Sequence, residues 1–434
     1  MNTLSSFPGM ILRFTKKATF PGILLVVVAI AAMIWANSPA SAIYFELWQK
    51  EITVGFGNAI LAKPLLLWIN DGLMAMFFFA IGLEIKREVM AGELSTWKKA
   101  AMPVYAAIGG MILPSLIFVL FNHERPFLNG WGIPMATDIA FSLGILALLG
   151  KKVPVSLKIF LTAFAIVDDL GAVLVIAFFY SSKIIFANVA LGGTFLGIML
   201  LMNWAGVRKN IAYAIPGILG IWLAFLLSGV HATIAGVLAA FAIPASTKIN
   251  ITGFKQTVMD LANGIRVFKK KETPFLSREE QKVVTAIRQT CEYYEPPLQS
   301  LEHDLHPWVI FLILPVFALS NTGVLLSDSM VNAVTNSLGM GIVLGLVLGK
   351  PLGILLFSWV AYKLGMASLP ENVTWKHILG VGLLGGIGFT MALFIAGLAF
   401  RQTDLIENAK ISILVASVIA GVAGYFVLKK SLPK

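Results

Sequence analysis

The chain has 434 residues, of which 58% are hydrophobic and 13% are charged. This charged fraction is about half of the ~25% found in soluble domains, so the composition excludes a water-soluble globular protein and predicts an all-α polytopic membrane protein. The single cysteine, Cys291, excludes an intramolecular disulfide framework, and the net charge of +11 comes from short basic clusters between apolar stretches, a pattern of membrane topology rather than of nucleic-acid binding.

Twelve apolar stretches predict transmembrane helices within one domain over residues 1–434. They lie at about 20–36, 64–85, 101–121, 131–149, 156–180, 184–204, 211–228, 230–245, 307–326, 338–362, 377–400 and 409–428. A signal peptide is the alternative interpretation of the first stretch, because Ala40-Ser41-Ala42 resembles a cleavage site. Its apolar run is long for a signal peptide and starts late, so we favour a retained span.

Lysine and arginine counts predict the orientation of these spans. The side of the membrane that holds the N-terminus carries 26 of these residues and the opposite side carries 6, with Lys350 inside a span. Basic residues concentrate in cytoplasmic loops, so both termini are predicted to be cytoplasmic.

Two connecting segments are long enough to have structure of their own. Residues 43–63 form the first outside loop, and their alternating apolar side chains predict a short amphipathic hairpin. It is either a loop resting on the membrane or, over residues 43–60, a homodimer contact. The polar segment 246–305 is predicted to be a cytoplasmic connector that touches anionic headgroups, with a basic turn at Lys269–Lys271 and an amphipathic helix at Ser277–Gln289.

The most informative stretch is 161–180, where the adjacent carboxylates Asp168 and Asp169 interrupt an apolar span. One carboxylate at that depth costs roughly 2.5–3.5 kcal/mol on insertion scales, and two also repel each other. Adjacent helical residues point about 100° apart, so one carboxylate can face a cavity while the other faces a neighbouring helix. A buried ion pair is the structural alternative, but one partner cannot satisfy both groups. We interpret the pair as an ion or proton site.

Three other ionisable residues, Asp71, Asp138 and Lys350, lie deep in predicted spans. Lys350 requires a carboxylate partner, either as a structural strut or as a group whose proton or pairing changes during turnover. Asp138 follows Gly132 and Pro134, which indicate an interrupted helix in span 4; the glycines around Thr390 indicate the same in span 11. A carboxylate there can compensate the positive ends of broken helices. Close helix packing explains the glycines but not Asp138.

Polar residues also cluster at one end of spans 2 and 9. They are Glu84, Lys86, Arg87 and Glu88 in the first group and Glu302, His303 and His306 in the second, with Asp71 and His231 standing apart. The second group is a weak metal-ligand set, because histidine spacing is its sole zinc-like feature. Proton sensing and a plain interfacial cluster are both compatible with it.

Five stretches of this sequence resemble the NhaA-type sodium/proton antiporters, and the resemblance runs from span 1 to span 12. The stretches are 136–141 (ATDIAF), 165–172 (AIVDDLGA), 228–233 (SGVHAT), 349–353 (GKPLG) and 386–391 (GIGFTM). The resemblance implies inverted repeats, with interrupted spans 4 and 11 crossing at mid-membrane. The chain departs from the family in its longer 246–305 loop and in Gln299-Ser300, where related proteins often carry basic residues.

The resemblance also implies site roles. Asp169 and Asp168 would bind the cation, with Asp169 the primary ligand; Thr137 and Asp138 would lie at the crossing, and Lys350 would pair with Asp168. The resemblance implies a role in pH activation for the residues at the cytoplasmic mouth, which are Glu84, Lys86, Arg87, Glu88, Glu302, His303 and His306. It implies an influence on turnover or pH response for Asp71 and His231.

The sequence therefore predicts a secondary transporter of the bacterial inner membrane, not an enzyme. It would export cytoplasmic Na⁺ or Li⁺ in exchange for external H⁺ for sodium and pH homeostasis, electrogenically and with activation at alkaline pH, without a cofactor. An intramembrane aspartyl protease would need its two carboxylates on facing elements, whereas these are adjacent on one helix. A channel would need acidic rings or a carbonyl filter, which the sequence does not indicate.

Overall fold

The computed structural model describes residues 19–432 except 57–58, 182–183, 248–249, 266–276 and 327–329. Within the described residues, seven helices are long and apolar enough to cross a membrane, and three bent helix pairs bring the number to ten if each pair is one span. Two shorter apolar helices lie beside them. The chain is therefore an all-α polytopic membrane protein with one small hairpin.

The helices and strands are numbered here in chain order. They are α1 (Phe20–Ala36), α2 (Ser41–Gln49), β1 (Glu51–Phe56), β2 (Ala59–Pro64), α3 (Leu65–Ala91), α4 (Trp97–Phe121), α5 (Ile139–Leu148), α6 (Val155–Phe179), α7 (Phe186–Trp204), α8 (Asn210–Leu226), α9 (Ala232–Ala242), α10 (Ile251–Ile265), α11 (Arg278–Tyr294), α12 (Pro297–Thr322), α13 (Met330–Thr335), α14 (Ser337–Lys363), α15 (Trp375–Gly385), α16 (Phe389–Ala399) and α17 (Thr403–Ser431). Short 3₁₀ helices cover Phe127–Met135 and Gly150–Lys152.

Two of the bent pairs are broken inside the protein interior. The 3₁₀ helix Phe127–Met135 and α5 are bent by 40° across residues 136–138, and α15 and α16 by 47° across residues 386–388. Non-helical backbone is tolerated at membrane depth where protein surrounds it. Thr137 and Asp138 are 1% and 2% exposed and Ile387 is fully buried, so both breaks meet this condition.

Four long helices contain a π-helical turn, which widens the hydrogen-bond ladder locally. The turns cover Ile69–Leu73 in α3, Pro216–Trp222 in α8, Val309–Ile313 in α12 and Gly345–Gly349 in α14. Such turns are frequent at functional sites. The turn in α14 ends immediately before Lys350, and the turn in α3 contains Asp71.

The first loop differs in part from its prediction. Strands β1 and β2 pair antiparallel from Glu51↔Pro64 to Phe56↔Ala59, which confirms a hairpin. Residues 43–49, however, belong to α2 and not to the hairpin. Tyr44 and Trp48 lie one helical turn apart and are both buried, and the Tyr44 hydroxyl donates to the carbonyl of Leu319 at 2.7 Å. Burying both aromatic rings on one face favours a helix here.

Glycines bring two pairs of helices into backbone contact. Gly109 of α4 and Gly353 of α14 face each other so closely that a Cβ on either would overlap the backbone of the other. Gly82 of α3 lies against Ala240 of α9, and a Cβ at Gly236 of α9 would overlap the backbone of α3. Small residues permit this close packing in membranes, where apolar burial does not drive association.

The polar segment 246–305 is more helical than predicted. The predicted helix Ser277–Gln289 is confirmed as part of α11, capped by Ser277, while α10 packs against α11 with Phe254 and Tyr294 stacked at 4.3 Å. The helix that contains the predicted span 307–326, α12, begins earlier, at Pro297. The basic turn at 269–271 lies outside the described residues.

Candidate ion-binding site

The two broken helices bind each other through backbone groups that the breaks expose. The Thr137 hydroxyl donates to the carbonyl of Gly385 at 2.8 Å, and the Ser142 hydroxyl donates to Leu384 at 2.7 Å. The backbone N–H of Asp138 donates to the carbonyl of Ile387 at 2.7 Å. These bonds satisfy carbonyls at the end of α15 and the carbonyl of Ile387 in the break that follows it.

Asp138 caps two helices with one carboxylate. Its Oδ1 accepts from the N–H of Phe141 in the first turn of α5 at 3.0 Å. Its Oδ2 accepts from both the N–H and the hydroxyl of Thr390 in the first turn of α16, at 3.1 and 2.6 Å. A negative charge is favourable at a helix N-terminus, and here one charge serves two termini that meet in the buried interior.

Lys350 and Asp168 form a buried ion pair. The ammonium Nζ lies 2.8 Å from Oδ2 of Asp168, and the two side chains are 0% and 1% exposed. The same Nζ also donates to the carbonyl of Met135, at the end of the 3₁₀ helix that precedes the first break. A cation is favourable at the carboxyl end of a helix, so Lys350 compensates this end as Asp138 compensates the amino ends.

The adjacent carboxylates of α6 have different surroundings. Oδ1 of Asp168 is buried and accepts no hydrogen bond from the described part of the chain. Asp169 is 4% exposed and lines a cavity of 490 Å³. One carboxylate therefore faces a neighbouring helix while the other faces a space that a small ion can enter.

The cavity extends along α6 from Asp169 to Lys158, eleven residues or about 16 Å of helix. Along α3 its lining includes Glu84 and Arg87, and from α12 it includes Glu302 and His306. Apolar side chains of α3, α5 and α12 form most of the remaining wall. The cavity thus joins the buried carboxylate Asp169 to a cluster of charged residues at the helix ends.

Arg87 connects α3 to α12 at this charged end. Its Nε lies 3.0 Å from both carboxylate oxygens of Glu302, and its Nη1 lies 2.6 Å from Oε1 of Glu88. The side chains of Arg87 and Glu302 are 35% and 25% exposed. Water therefore screens this pair far more than it screens Lys350 and Asp168.

Comparison with known proteins finds one family that matches nearly the whole chain. The family model described as "Na+/H+ antiporter 1" matches residues 12–428. The chain belongs to this family. The Na(+)/H(+) antiporter NhaA of Oleidesulfovibrio alaskensis is 50% identical over 418 residues, which are 96% of this chain and 93% of that protein. The proteins of the same name from Christiangramia forsetii and Serratia proteamaculans are 46% and 43% identical, covering 96% and 98% of this chain and 93% and 99% of their own length.

Membership of the Na⁺/H⁺ antiporter family confirms the predicted resemblance and the class of protein. The family consists of secondary transporters, so the chain is a transporter and not an enzyme. The alternative of an intramembrane aspartyl protease is therefore excluded. The chain is a multi-pass protein of a bacterial membrane.

Several residues that the sequence groups together are apart in this member of the antiporter family. Lys86 points away from the cavity and donates to the carbonyls of Phe241 and Ile243 at 2.6 and 2.5 Å, at the end of α9. Glu88 stays paired with Arg87 and accepts from the N–H of Glu93 at 2.8 Å, but it is not part of the cavity lining, and His303 is exposed outside that lining. Neighbouring helical positions point in different directions, so Lys86 and Arg87 reach different partners.

Asp71 and His231 also lie outside this cavity lining. Asp71 pairs with Lys63 of β2 at 2.9 Å. His231 immediately precedes α9, where its Nδ1 lies 2.8 Å from the hydroxyl of Thr233 and its ring packs edge-on against Phe394 at 5.4 Å.

Three side chains contribute to the site of the antiporter without having been singled out in the sequence. Ser142 bonds to the end of α15, Ser417 accepts from the N–H of Phe389 at the start of α16 at 3.2 Å, and Lys158 lines the cavity. Ser142 had a weak signal, since it lies one turn after Asp138 at the predicted break. Ser417 lies in the last span and Lys158 in a basic cluster, and neither has a local signal.

Proposed function

We propose that the chain exports cytoplasmic Na⁺ or Li⁺ in exchange for external H⁺ at Asp168 and Asp169. The observation that supports this most directly is the placement of Asp169: it is buried, yet it lines the cavity that leads to Arg87 and Glu302. A buried carboxylate on such a path binds either a proton or a small cation, because either one neutralises it.

Exchange follows from competition for the same oxygens. When the cavity is open to the cytoplasm, Asp169 releases its proton and Na⁺ takes its place, with the free Oδ1 of Asp168 as a further ligand. When the site opens to the outside, protons displace Na⁺, and the protonated site returns. Asp138 stays bonded to α5 and α16 and serves as a fixed counter-charge for the two helix ends.

The two breaks are the places where the helices would move so that the site opens first to the cytoplasm and then to the outside. We infer twelve spans, comprising the seven long helices, the three bent pairs and the shorter helices α8 and α9. Inverted repeats would place the breaks at residues 136–138 and 386–388 in a crossing at mid-membrane. The two breaks bond to each other through Thr137, Asp138 and Thr390. A shift of either break would therefore change the surroundings of Asp169.

Lys350 determines how much charge a cycle moves. If Na⁺ binding to Asp168 displaces Lys350, and Lys350 then releases its proton, two protons leave for each Na⁺ and the exchange is electrogenic. The membrane potential would then contribute roughly 2.3 kcal/mol per charge per 100 mV. Contact with Asp168 and with the carbonyl of Met135 makes Lys350 responsive to both α6 and the first break.

Activation at alkaline pH is assigned to the mouth of the cavity. Glu84, Arg87, Glu302 and His306 line it, and their net charge sets the local concentration of Na⁺. A mouth that becomes more negative as the pH rises favours cation entry. Lys86, Glu88, His303, His231 and Asp71 would act on pH response or turnover from outside the lining.

The termini of the chain are proposed to be cytoplasmic in the bacterial inner membrane, with one transporter domain over 1–434. A homodimer contact on the outside is proposed over residues 43–60, which include strand β1 of the hairpin. Ile52 and Val54 of β1 are 40% and 56% exposed, which suits a contact between two copies better than a solvated turn.

The deciding experiment measures collapse of a pH gradient in proteoliposomes upon addition of Na⁺, Li⁺ or K⁺ between about pH 6.5 and 8.5. We expect collapse with Na⁺ and Li⁺ but not with K⁺, increasing with pH, and loss of the response in Asp169→Asn. Asp404→Asn is the matched control, because Asp404 is an exposed carboxylate at the start of α17. Absence of a cation response in the wild-type chain, or an unchanged response in Asp169→Asn, would refute the proposal.

A further inference from the structure

A second cavity opens on the membrane-facing surface, away from the ion path. It measures 820 Å³ and lies between α1, α5, α16 and α17. We call it the lateral groove. Its rim is formed by Ile30 and Ile34 of α1 and by Val418, Val422 and Phe426 of α17. These rim side chains are 53–66% exposed on helices that cross the membrane, so the medium that they contact is lipid.

The dimensions of the lateral groove suit one acyl chain. Along α17 it runs from Leu414 to Phe426, twelve residues or about 18 Å of helix. One leaflet of the hydrocarbon core is about 15 Å thick, half of the usual ~30 Å. The groove volume also falls in the range of about 300–1,000 Å³ typical of small-molecule sites.

Charge at one end of the groove selects the headgroup. Tyr425 and Phe426 line this end, and Lys429 lies one turn further along α17 with its Nζ 5.6 Å from the centre of the Tyr425 ring. Lys430 follows, and both lysines are exposed. Basic residues at the membrane edge of a groove between helices attract anionic lipid headgroups.

The floor of the groove reaches the broken helices. Phe141 of α5 and Phe389 of α16 line it, and their rings meet edge-to-face at 5.6 Å. Thr322, at the end of α12, also lines the groove. An occupant of the groove therefore rests on the first turns of the two helices that Asp138 caps.

We propose that the lateral groove binds a membrane phospholipid with an anionic headgroup, its acyl chain lying on the Phe141–Phe389 pair and its phosphate beside Lys429 and Lys430. The inference does not depend on which ions the protein exchanges.

The test uses phosphatidylglycerol with a photoactivatable group in its acyl chain, at low abundance in phosphatidylcholine nanodiscs that hold the full-length protein. Cross-linked peptides are then mapped, and a phosphatidylcholine probe with the same acyl chain is run in parallel. We expect the phosphatidylglycerol probe to label the peptides of α1 and α17 well above the equally lipid-facing α7. We expect Val422→Trp to abolish this enrichment, because the indole fills the groove from its rim.

Leu200→Trp is the matched control for bulk, since Leu200 of α7 is 50% exposed and lies outside the groove. Lys429→Gln together with Lys430→Gln should reduce groove labelling by phosphatidylglycerol by roughly tenfold and leave phosphatidylcholine labelling unchanged. Lys98→Gln with Lys99→Gln, two exposed lysines in the first turn of α4, which does not line the groove, is the charge control and should have no effect.

Uniform labelling of all lipid-facing helices, unaffected by Val422→Trp, would overturn the proposal in favour of general bilayer contact. Groove peptides that are protected from both probes would also overturn it.

Discussion

Charge balance around the breaks depends on three side chains. Asp138 offsets the amino ends of α5 and α16, and Lys350 offsets the carboxyl end of the 3₁₀ helix that ends at Met135. Asp168 in turn offsets Lys350. These groups offset one another and the helix ends, which supports the proposal that Asp169 binds the mobile ion.

The first prediction concerns the double cap on Asp138. Thr390→Val removes the hydroxyl that donates to Oδ2 at 2.6 Å, while the backbone bond at 3.1 Å is retained. A hydrogen bond to a charged group contributes about 1.5–3 kcal/mol, so the free energy of unfolding in detergent micelles should fall by that amount. Thr390→Ser retains a hydroxyl and should lose far less. A loss of stability in Thr390→Ser with none in Thr390→Val would show that the methyl group, not the hydroxyl, matters.

The second prediction concerns the buried pair. Lys350→Ala leaves Asp168 buried without its cation, which should reduce the free energy of unfolding by about 3–5 kcal/mol. Adding Asp168→Asn removes the unpaired charge, so the double variant should be more stable than Lys350→Ala alone. The measurement is denaturant unfolding of all three variants in micelles.

If the double variant is as unstable as the sum of the two single variants, the pair has no coupling energy and Lys350 is not a strut. A transport current that persists in Lys350→Arg, whose guanidinium retains its proton, would separately contradict the proposed release of a proton from Lys350.

At the residue scale the sequence predicts most of this site, because intramembrane charges are rare enough to stand out individually. Asp138, Asp168, Asp169 and Lys350 are all identifiable by depth alone. Ser417 is not, because a serine in an apolar helix is common and its partner, the N–H of Phe389, is 28 residues away. Contacts of backbone groups depend on the fold and leave no mark in the local sequence.

At the scale of single helices, the direction of each side chain explains why Lys86 and Arg87, neighbours in the predicted cluster, reach different partners. Helix α3 presents Glu84 and Arg87 to the cavity but Lys86 to the end of α9. Periodicity alone predicts that Lys86 and Arg87 face different directions, yet it does not predict which partner helix lies on each side. The π turn Val309–Ile313 adds to this, because it shifts the register of α12 after His306.

The third prediction concerns the bond between α3 and α12. Glu302→Gln removes a carboxylate from the cavity mouth and leaves Arg87 with less compensation. Stability should change by less than about 1 kcal/mol, since the pair is partly exposed. The apparent affinity for Na⁺ should fall, because the mouth becomes more positive, and added inert salt should reduce the difference.

Glu292→Gln is the control for the third prediction, since it removes the same charge from an exposed pair with Arg288 on α11. It should leave the apparent affinity for Na⁺, measured from gradient collapse, unchanged. An equal effect of the two variants would attribute the change to overall surface charge.

At the scale of the whole molecule, the single cysteine makes the topology directly testable. Cys291 is exposed on α11, and Cys291→Ser provides a background without other thiols. The fourth prediction is that an impermeant thiol reagent added outside intact cells labels Thr53→Cys and Arg401→Cys in this background. Lys151→Cys, and Cys291 in the natural chain, should be labelled after the membrane is opened. Labelling of Lys151→Cys and Thr53→Cys from the same side would contradict twelve spans.

The fifth prediction concerns the hairpin. Ile52→Asn with Val54→Asn makes the exposed face of β1 polar without changing the buried Tyr44 and Trp48 of α2. If the hairpin forms a dimer contact, the mass of the purified protein–detergent complex should shift towards the monomer. The same double change at Val89 and Met90, two exposed apolar residues of α3, should not alter the mass.

The paired glycines have a mechanical consequence. Because Gly109 and Gly353 lock the backbones of α4 and α14 together, the two helices cannot slide along each other without a clash. Lys350 lies three residues before this contact, directly after the π turn Gly345–Gly349. The part of α14 that follows Lys350 is therefore held in place against α4. Lys350 can change its distance from Asp168 if the π turn beside it rewinds or if α6 moves. A conformational change that separates Lys350 from Asp168 is therefore expected to begin at that turn or in α6, and not at the contact between Gly109 and Gly353.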